Sequence, residues 1–263
     1  MKHKMNLWPD SFQAIEEGTK TIEMRLNDEK RKQIDKGDIL EFQNTESLEK
    51  LECVVLDTIA YPSFKELYAH YDKLSIGYKE EESANYEDMY RYYSKENIKV
   101  YGALAIHICK LDSITPKILV DNGICPTCFN KENGNCLYGD NLDKLIYKDD
   151  KIECFFAGNP RADGHTIIST IKHYKDMLEA PEDVVVSVYS FAHKTMKKIK
   201  EVYHCESVYL CTMCDGPMNH FHIQLIPRYQ DEERGSKNFI KPRHNYVYDK
   251  KKLMKLQGLL KEN

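Results

Sequence analysis

The segment Asn219–Tyr229 reads NHFHIQLIPRY and places His220, His222 and Gln224 on alternate positions among apolar residues. Alternate side chains of a β-strand point to opposite faces, so these three polar groups share one face. The other face carries the apolar positions Phe221, Ile223 and Leu225. The segment therefore predicts a strand with one chemical face and one core face.

The neighbouring sequence predicts the rest of a sheet and one long helix. Strand-like patterns occupy residues 143–158, 164–171 and 208–214, with turn-forming residues between them. Residues 181–205 have apolar positions at helical spacing, and Pro181 followed by two acidic residues is typical of a first helical turn. This order of strands, one helix and further strands indicates an α+β fold with a mainly antiparallel sheet.

The N-terminal half predicts a separate β-rich unit. Strand-like segments occupy residues 21–26, 37–44, 51–61 and 100–111, and helical segments occupy 11–20, 63–74 and 84–98. The connector 112–124 contains Pro116 and the turn pair Asn122-Gly123. We therefore predict a first domain over 1–113, a linker over 114–123, a second domain over 124–245 and a C-terminal helical tail over 246–263.

Composition limits the possible functions. The chain has 263 residues, and its 38 Lys and Arg nearly balance its 42 Asp and Glu, so no global basic field indicates nucleic-acid binding. The first residues, MKHKMNLWPDSF, lack the apolar segment that a signal peptide requires, and no run of apolar residues is long enough to cross a membrane. We therefore expect a cytoplasmic protein. Nine cysteines, an odd number, favour free thiols or a metal site over a disulfide framework.

The second half resembles the histidine-triad (HIT) superfamily in several motifs that stand in the family's order. They are Cys125-Pro126-Thr127-Cys128, Gly164-His165-Thr166, Lys172-His173 and the strand from Asn219 to Tyr229. The resemblance implies a nucleotide hydrolase or nucleotidyltransferase, and a homodimer, since single HIT units usually pair to complete the sheet.

Carried onto this sequence, the resemblance implies that His222 attacks a nucleotide phosphorus, with its other ring nitrogen held by a main-chain carbonyl. It places His165 beside the phosphates and Asn219 in substrate binding. Gln224 matches the branch that resembles galactose-1-phosphate uridylyltransferase and the diadenosine tetraphosphate phosphorylases. An amide donates a hydrogen bond without being an acid, so it favours transfer to phosphate or a sugar phosphate, although water stays open as the acceptor.

The same resemblance implies a structural zinc ion. Its ligands are Cys125, Cys128, His173 and His220. Two thiolates and two imidazoles satisfy tetrahedral zinc, and a site closed by four protein ligands is structural. The alternatives are a pair of ordinary thiols, or the rival pair Cys211 and Cys214.

The first half resembles the ASCH domain, a small β-barrel related to PUA RNA-binding modules, over about residues 5–112. The motif GTKTIEMR at 18–25 carries the resemblance and places Lys20, Glu23 and Arg25 in a cleft of mixed charge. Such a cleft could grip a base edge or a phosphate. Some ASCH proteins resemble amidohydrolases of modified cytidine, but this sequence has Glu23 where those proteins have a threonine.

The leading interpretation is an enzyme that forms a covalent nucleotidyl-histidine at His222, with the ASCH-like unit selecting the substrate. The alternatives are an RNA- or nucleotide-binding sensor with an inactive HIT unit, and an ASCH-type amidohydrolase. The sequence leaves open the nucleobase, the leaving group and the acceptor. It also leaves open whether the basic residues Arg228, Lys237, Lys241 and Arg243 face phosphate or solvent.

Overall fold

The computed structural model describes residues 1–134, 137, 144–214, 216–235 and 249–261. The chain forms two compact units, Met1–Pro126 and Thr127–Asn263. Of the predictions above, Lys237, Lys241, Arg243 and the predicted border at 245 lie outside the described residues.

The first unit is built on a curled, half-barrel sheet of five strands. The strands are β1 (Lys2–Leu7), β2 (Ile22–Leu26), β3 (Ile39–Asn44), β4 (Lys50–Tyr61) and β5 (Ala103–Lys110). They lie in the order β1-β3-β4-β5-β2, and β1 pairs with β3 in parallel while the other pairs are antiparallel. The sequence did not reveal β1, because its charged residues mask the alternation that buries Met5 and Leu7.

Short helices cover this sheet. They are α1 (Pro9–Glu16), α2 (Phe64–Tyr68), α3 (Lys95–Tyr101) and α4 (Pro116–Asp121). Gly18 follows α1 at a φ of 80°, a left-handed conformation that glycine adopts without steric cost. The linker predicted over 114–123 contains α4, which Thr115 caps by accepting a hydrogen bond from the Ile118 N–H at 3.2 Å.

The second unit is an antiparallel sheet with one long helix, as predicted. Its strands are β6 (Leu145–Lys148), β7 (Ile152–Phe156), β8 (Thr166–Thr170), β9 (Ser207–Cys211) and β10 (His222–Arg228), in the order β6-β7-β8-β10-β9. Its helices are α5 (Pro126–Glu132), α6 (Glu182–Tyr203) and α7 (Lys250–Lys261). The fold class is therefore confirmed for both units.

One face of this second sheet packs against α6 and α7. The buried cluster joins Ile223 and Leu225 of β10 to Val188 and Ala192 of α6 and to Leu256 of α7. Because strand alternation sends these β10 side chains into the core, His222 and Gln224 lie on the face away from α6. The alternation of apolar residues in β10 therefore determines that His222 and Gln224 lie on the face of the sheet that does not pack against the helices.

Two local differences from the sequence analysis affect the site. The strand begins at His222, so His220 stands in the segment before β10 rather than within it. Cys128 lies in the first turn of α5, a helix that the sequence analysis does not predict, and Pro126 supplies the fixed φ that favours a helix start. Among the described residues, no helix is both long and apolar enough to span a membrane.

Candidate nucleotide and metal site

His222 opens β10 opposite Ser169 of β8 and is half-buried. Its Nδ1 lies 2.9 Å from the carbonyl oxygen of His220. A carbonyl oxygen only accepts hydrogen bonds, so Nδ1 carries a proton and, in the neutral ring, the lone pair lies on Nε2. A neutral imidazole with a lone pair at Nε2 is suited to attack an electrophile.

Thr212 holds the backbone of His222 from the neighbouring chain segment. Its hydroxyl donates to the carbonyl oxygen of His222 at 2.9 Å and lies 3.4 Å from the Cys214 Sγ. Thr212 stands one residue beyond β9, next to β10 in the sheet. Sequence reasoning missed this contact because it depends on how the chain leaves β9, for which the sequence holds no periodic signal.

Gln224 lies in the middle of the same face. Its backbone pairs with Ile167 on one side and Cys211 on the other, and its side chain is only 4% exposed. Its Oε1 is buried with no hydrogen-bond partner among the described residues. A buried amide oxygen of this kind leaves room for a ligand or water to donate to it, and the part of Gln224 in catalysis stays a prediction.

His165 is the predicted site residue that the structure places away from His222. Ser169 lies opposite His222, and four residues of extended chain separate Ser169 from His165, roughly 13 Å along the strand direction. His165 is buried, and its Nδ1 accepts a hydrogen bond from the Arg161 N–H at 3.0 Å. This arrangement favours a packing role that shapes the loop before β8.

Asn219 also has a structural partner. Its side-chain Nδ2 donates to the carbonyl oxygen of Gly216 at 2.9 Å and so closes the loop that precedes His220. Together with His173, Lys175 and Met218, it lines a cavity of about 490 Å³. Its predicted part in substrate binding stays a prediction.

Four side chains converge as the predicted zinc ligands. The ligand atoms of Cys125, Cys128, His173 and His220 all lie within 4.8 Å of one another. The Cys128 Sγ lies 3.5 Å from the His173 Nδ1 and 3.4 Å from the His220 Nδ1. Tetrahedral zinc with ordinary Zn–S and Zn–N bonds holds sulfur and nitrogen about 3.5 to 3.6 Å apart, so the observed distances fit that ion.

The tautomer of His220 supports the same assignment. Its Nε2 lies 2.8 Å from the carbonyl oxygen of Thr170, so Nε2 carries the proton and Nδ1 presents a lone pair to Cys128. Metal-binding histidines commonly donate their second ring N–H to a carbonyl in this way. Thr170 also donates its backbone N–H to the Phe221 carbonyl oxygen at 3.2 Å, which joins β8 to the segment that carries His220.

The rival pair Cys211 and Cys214 forms no comparable cluster. Within the described part of the chain, neither cysteine belongs to a group of three or more potential ligands. Burial raises the pKa of Cys211, and the positive charge of Arg161 offsets part of that effect. The described residues around Cys211 and Cys214 therefore offer no third ligand for a metal ion.

Arg228, at the end of β10, serves the fold rather than a phosphate. It is buried, and its Nη2 lies 2.7 Å from the Glu206 carboxylate. Its Nη1 donates to the carbonyl oxygens of Tyr229 at 3.2 Å and Glu232 at 3.0 Å. These partners use the guanidinium donors to fix the chain after β10.

In the first unit, the three predicted cleft residues form one ion-paired cluster. The Glu23 carboxylate lies 2.8 Å from the Lys20 Nζ and 2.7 Å from the Arg25 Nε. Burial raises the pKa of Glu23, but the charges of Lys20 and Arg25 outweigh burial, so its pKa lies below the ordinary value. The cluster lines a cavity of about 1400 Å³, with Arg25 also donating to the Asn6 carbonyl oxygen at 2.9 Å.

Comparisons with known proteins identify both units. An ASCH domain model matches residues 5–112, and a HIT domain model matches residues 139–231. The uncharacterized HIT-like protein MJ0866 of Methanocaldococcus jannaschii is 30% identical over 94 residues, which cover 34% of this chain and 71% of that protein. This chain belongs to the HIT family. The predicted fusion of an ASCH domain to a HIT domain is thereby confirmed.

Other relatives extend the comparison. The uncharacterized HIT-like protein SSO2163 of Saccharolobus solfataricus is 22% identical over 128 residues, covering 46% of this chain and 92% of that protein. Among solved structures, the crystal structure of hypothetical protein PH0355 has a sequence 33% identical to this chain and a TM-score of 0.37. The match covers 42% of this chain and 99% of that protein. Membership of the HIT family supports nucleotide binding or hydrolase activity in general terms.

Proposed function

We propose that the HIT unit cleaves or transfers a nucleoside monophosphate through a covalent intermediate on His222. The observation that carries the proposal is the 2.9 Å contact between the His222 Nδ1 and the His220 carbonyl oxygen. It fixes the tautomer in which Nε2 is the nucleophile, on a half-exposed face next to Gln224. The family's link to nucleotides supports phosphorus as the atom attacked.

The chemistry balances in two steps. The lone pair of the His222 Nε2 forms a bond to the phosphorus, and the bond from phosphorus to the leaving-group oxygen breaks, so that oxygen departs with the electron pair. An acceptor hydroxyl, phosphate oxygen or water oxygen then attacks the same phosphorus. The N–P bond breaks and its electron pair returns to Nε2. A water or hydroxyl acceptor loses its proton to solvent, whereas the oxyanion of a phosphate has no proton to lose. The proton on Nδ1 stays on His222, hydrogen-bonded to the His220 carbonyl oxygen, throughout.

Gln224 steadies the phosphoryl group in this proposal. Its buried side chain lies two residues along β10 from His222, on the same face. An amide stabilises charge on a phosphoryl oxygen by donating a hydrogen bond, but it supplies no proton to a leaving group and takes none from water. We therefore propose phosphate or a sugar phosphate as the preferred acceptor, with hydrolysis as the competing outcome.

A structural zinc ion would stabilise this site through His220. Cys125, Cys128, His173 and His220 would hold the ion, and it would supply a fixed anchor rather than a reacting group, since four protein ligands close its coordination. His220 links the two sites, because its ring faces Cys128 while its carbonyl oxygen accepts a hydrogen bond from the His222 Nδ1–H. The zinc ion would thus fix the position of the His220 carbonyl oxygen, to which the His222 Nδ1–H donates.

Trapping of the intermediate tests the proposal. The protein is mixed with dinucleoside polyphosphates, nucleoside diphosphate sugars and nucleoside triphosphates, and quenched in alkaline denaturant, because N–P bonds to imidazole are acid-labile. Intact mass should show a nucleoside monophosphate adduct on the wild type, and peptide mapping should place it on His222. His222→Ala should lose the adduct, whereas His193→Ala, which removes an exposed histidine of α6, should retain it.

One observation favours a second candidate, a nucleotide-binding sensor without turnover. The loop before His220 offers no hydroxyl over residues 216–219, and the Asn219 amide is turned inward to Gly216. Under that alternative, nucleotides bind with measurable affinity but neither label the protein nor turn over. Homodimerisation and an RNA contact through the ASCH unit stay predictions.

A further inference from the structure

The second half of α6 and the whole of α7 carry a local excess of positive charge. Residues 193–200 include four lysines and no Asp or Glu, and α7 includes five lysines and no Asp or Glu. Five of these lysines are exposed and, among the described residues, have no carboxylate within 4 Å; they are Lys197, Lys200, Lys250, Lys251 and Lys255. We call them the α6–α7 basic surface. The whole chain has a formal net charge of −4, so this surface differs in sign from the chain as a whole.

The packing of α7 fixes which of its sides is exposed. Three leucines of α7 are buried in the core that it shares with α6, namely Leu253, Leu256 and Leu260. The Lys194 Nζ of α6 donates to the Leu260 carbonyl oxygen at 3.1 Å, and the Lys252 Nζ lies 4.7 Å from the centre of the Tyr203 ring. The two helices therefore run antiparallel. Lys197 lies between these contact points on α6 and Lys255 lies between them on α7, so both helices contribute cations to one stretch of surface.

The folding of α7 does not explain these charges. Lys250, Lys251 and Lys252 occupy the first turn, where the helix dipole is positive and favours acidic side chains. Asp249 offsets part of this effect, since its carboxylate accepts from the Lys251 N–H at 2.8 Å. Three lysines at this end of a helix lower its stability, so their charge is better explained by an anion that binds from outside.

The side chains around the lysines favour one class of polyanion. A membrane-bound helix needs an exposed apolar face, but the leucines of α7 are buried and its exposed large hydrophobic residue is Met254. Single-stranded nucleic acid is usually held by exposed aromatic rings, and none is exposed on the described residues 193–204 and 249–260. A duplex presents about one phosphate charge per 1.7 Å of its axis, and α7, about 18 Å long, matches about five base pairs.

We propose that the α6–α7 basic surface binds double-stranded nucleic acid through its phosphate backbone, without reading the bases. The lysine ammonium groups pair with phosphate oxygens and release the counterions that these oxygens hold. The two helices pack on one face of the sheet, and His222 lies on the other face. The inference is therefore independent of the chemistry at His222.

The salt dependence of binding tests the proposal. The intact protein is titrated into a fluorescein-labelled DNA duplex of about 16 base pairs, and anisotropy is recorded from about 50 to about 200 mM salt. Contact with three to five phosphates should make log Kd rise with log salt at a slope of roughly 3 to 4.5, which weakens binding about 60- to 500-fold over this range. The chain as a whole is acidic, so its net charge would not produce this binding.

A pair of matched variants locates the surface. Lys197→Gln combined with Lys255→Gln removes one exposed charge from each helix and should lower the slope by about 2 and weaken binding at least about tenfold. Lys65→Gln combined with Lys99→Gln removes two exposed charges from the first unit and should leave both quantities unchanged. Both variants change exposed residues only and should keep the Tm of the wild type.

Three results would overturn the proposal. The first is an unchanged anisotropy of the duplex at the lowest salt. The second is equal binding by the wild type and by Lys197→Gln with Lys255→Gln. The third is tighter binding to one strand of the duplex alone, or to vesicles of phosphatidylserine and phosphatidylcholine, than to the duplex.

Discussion

Replacing Cys128 with serine should remove the zinc site and destabilise the HIT unit. Cys128 is central to the cluster, since its Sγ contacts the Nδ1 atoms of both His173 and His220. Serine keeps the shape of the side chain but replaces a soft thiolate with a hydroxyl that zinc binds poorly. We expect about one zinc per chain in the wild type and almost none in Cys128→Ser.

The magnitude follows from ligand linkage. Zinc at 100 to 1,000 times its dissociation constant stabilises the folded state by about 2.7 to 4.1 kcal/mol. For domains near the size of this unit, each kcal/mol corresponds to a few degrees in Tm, so loss of the ion should lower the Tm on the order of 10 °C. The sheet has its own core with α6 and α7, and the unit should therefore still fold without metal.

The assay combines elemental analysis of protein purified without added metal with thermal unfolding, before and after a chelator. Chelation should lower the Tm of the wild type and of the control Cys214→Ser, which changes the rival CxxC pair, but it should not affect Cys128→Ser. Equal zinc content in Cys128→Ser and the wild type would refute the ligand assignment. Zinc lost from Cys214→Ser alone would move the site to the other pair.

Three further predictions follow from named contacts. Thr212→Val removes the hydroxyl that donates to the His222 carbonyl and should lower kcat roughly fivefold with little change in KM, whereas Thr212→Ser should restore kcat. Gln224→His supplies a group that titrates near neutral pH and should raise the ratio of hydrolysis to transfer, measured by product analysis with phosphate present. Glu23→Gln leaves the buried Lys20 and the partly exposed Arg25 without their carboxylate and should cost about 3 kcal/mol in denaturant unfolding. The pKa of Glu23 is lower in the folded state than in the unfolded state, where it is near 4.5. The stabilisation that the Glu23 carboxylate gives to the folded state is therefore present above pH 4.5 and is lost as the pH falls through the folded-state pKa. Acid should thus lower the free energy of unfolding of the wild type more than that of Glu23→Gln.

The alternation of β10 was enough to predict its two faces. Ile223 and Leu225 enter the core and Gln224 lies on the opposite face, as the period of two requires. The ligand set Cys125, Cys128, His173 and His220 also converges as expected, because motif spacing carries over when the fold is shared. These features depend on local periodicity or on a motif, and both are readable from one sequence.

Features that depend on tertiary contacts were not predictable. The hydroxyl of Thr212 reaches His222 only because β9 and β10 are neighbours. The contact between the His165 Nδ1 and the Arg161 N–H likewise depends on the fold of the loop before β8, and the catalytic role of His165 stays a prediction. The sequence left open whether Arg228 faces phosphate or solvent, and the structure shows that the Glu206 carboxylate and the carbonyl oxygens of Tyr229 and Glu232 engage it. These contacts depend on how the chain folds between elements, which composition does not reveal.

The most direct test of the central claim is the mass of the quenched protein after it meets a nucleotide substrate. A nucleoside monophosphate adduct on His222 should form before product, disappear when phosphate or a sugar phosphate is added, and be absent from His222→Ala. Turnover of the same substrate by His222→Ala at the wild-type rate, or an adduct mapped to another residue, would contradict it.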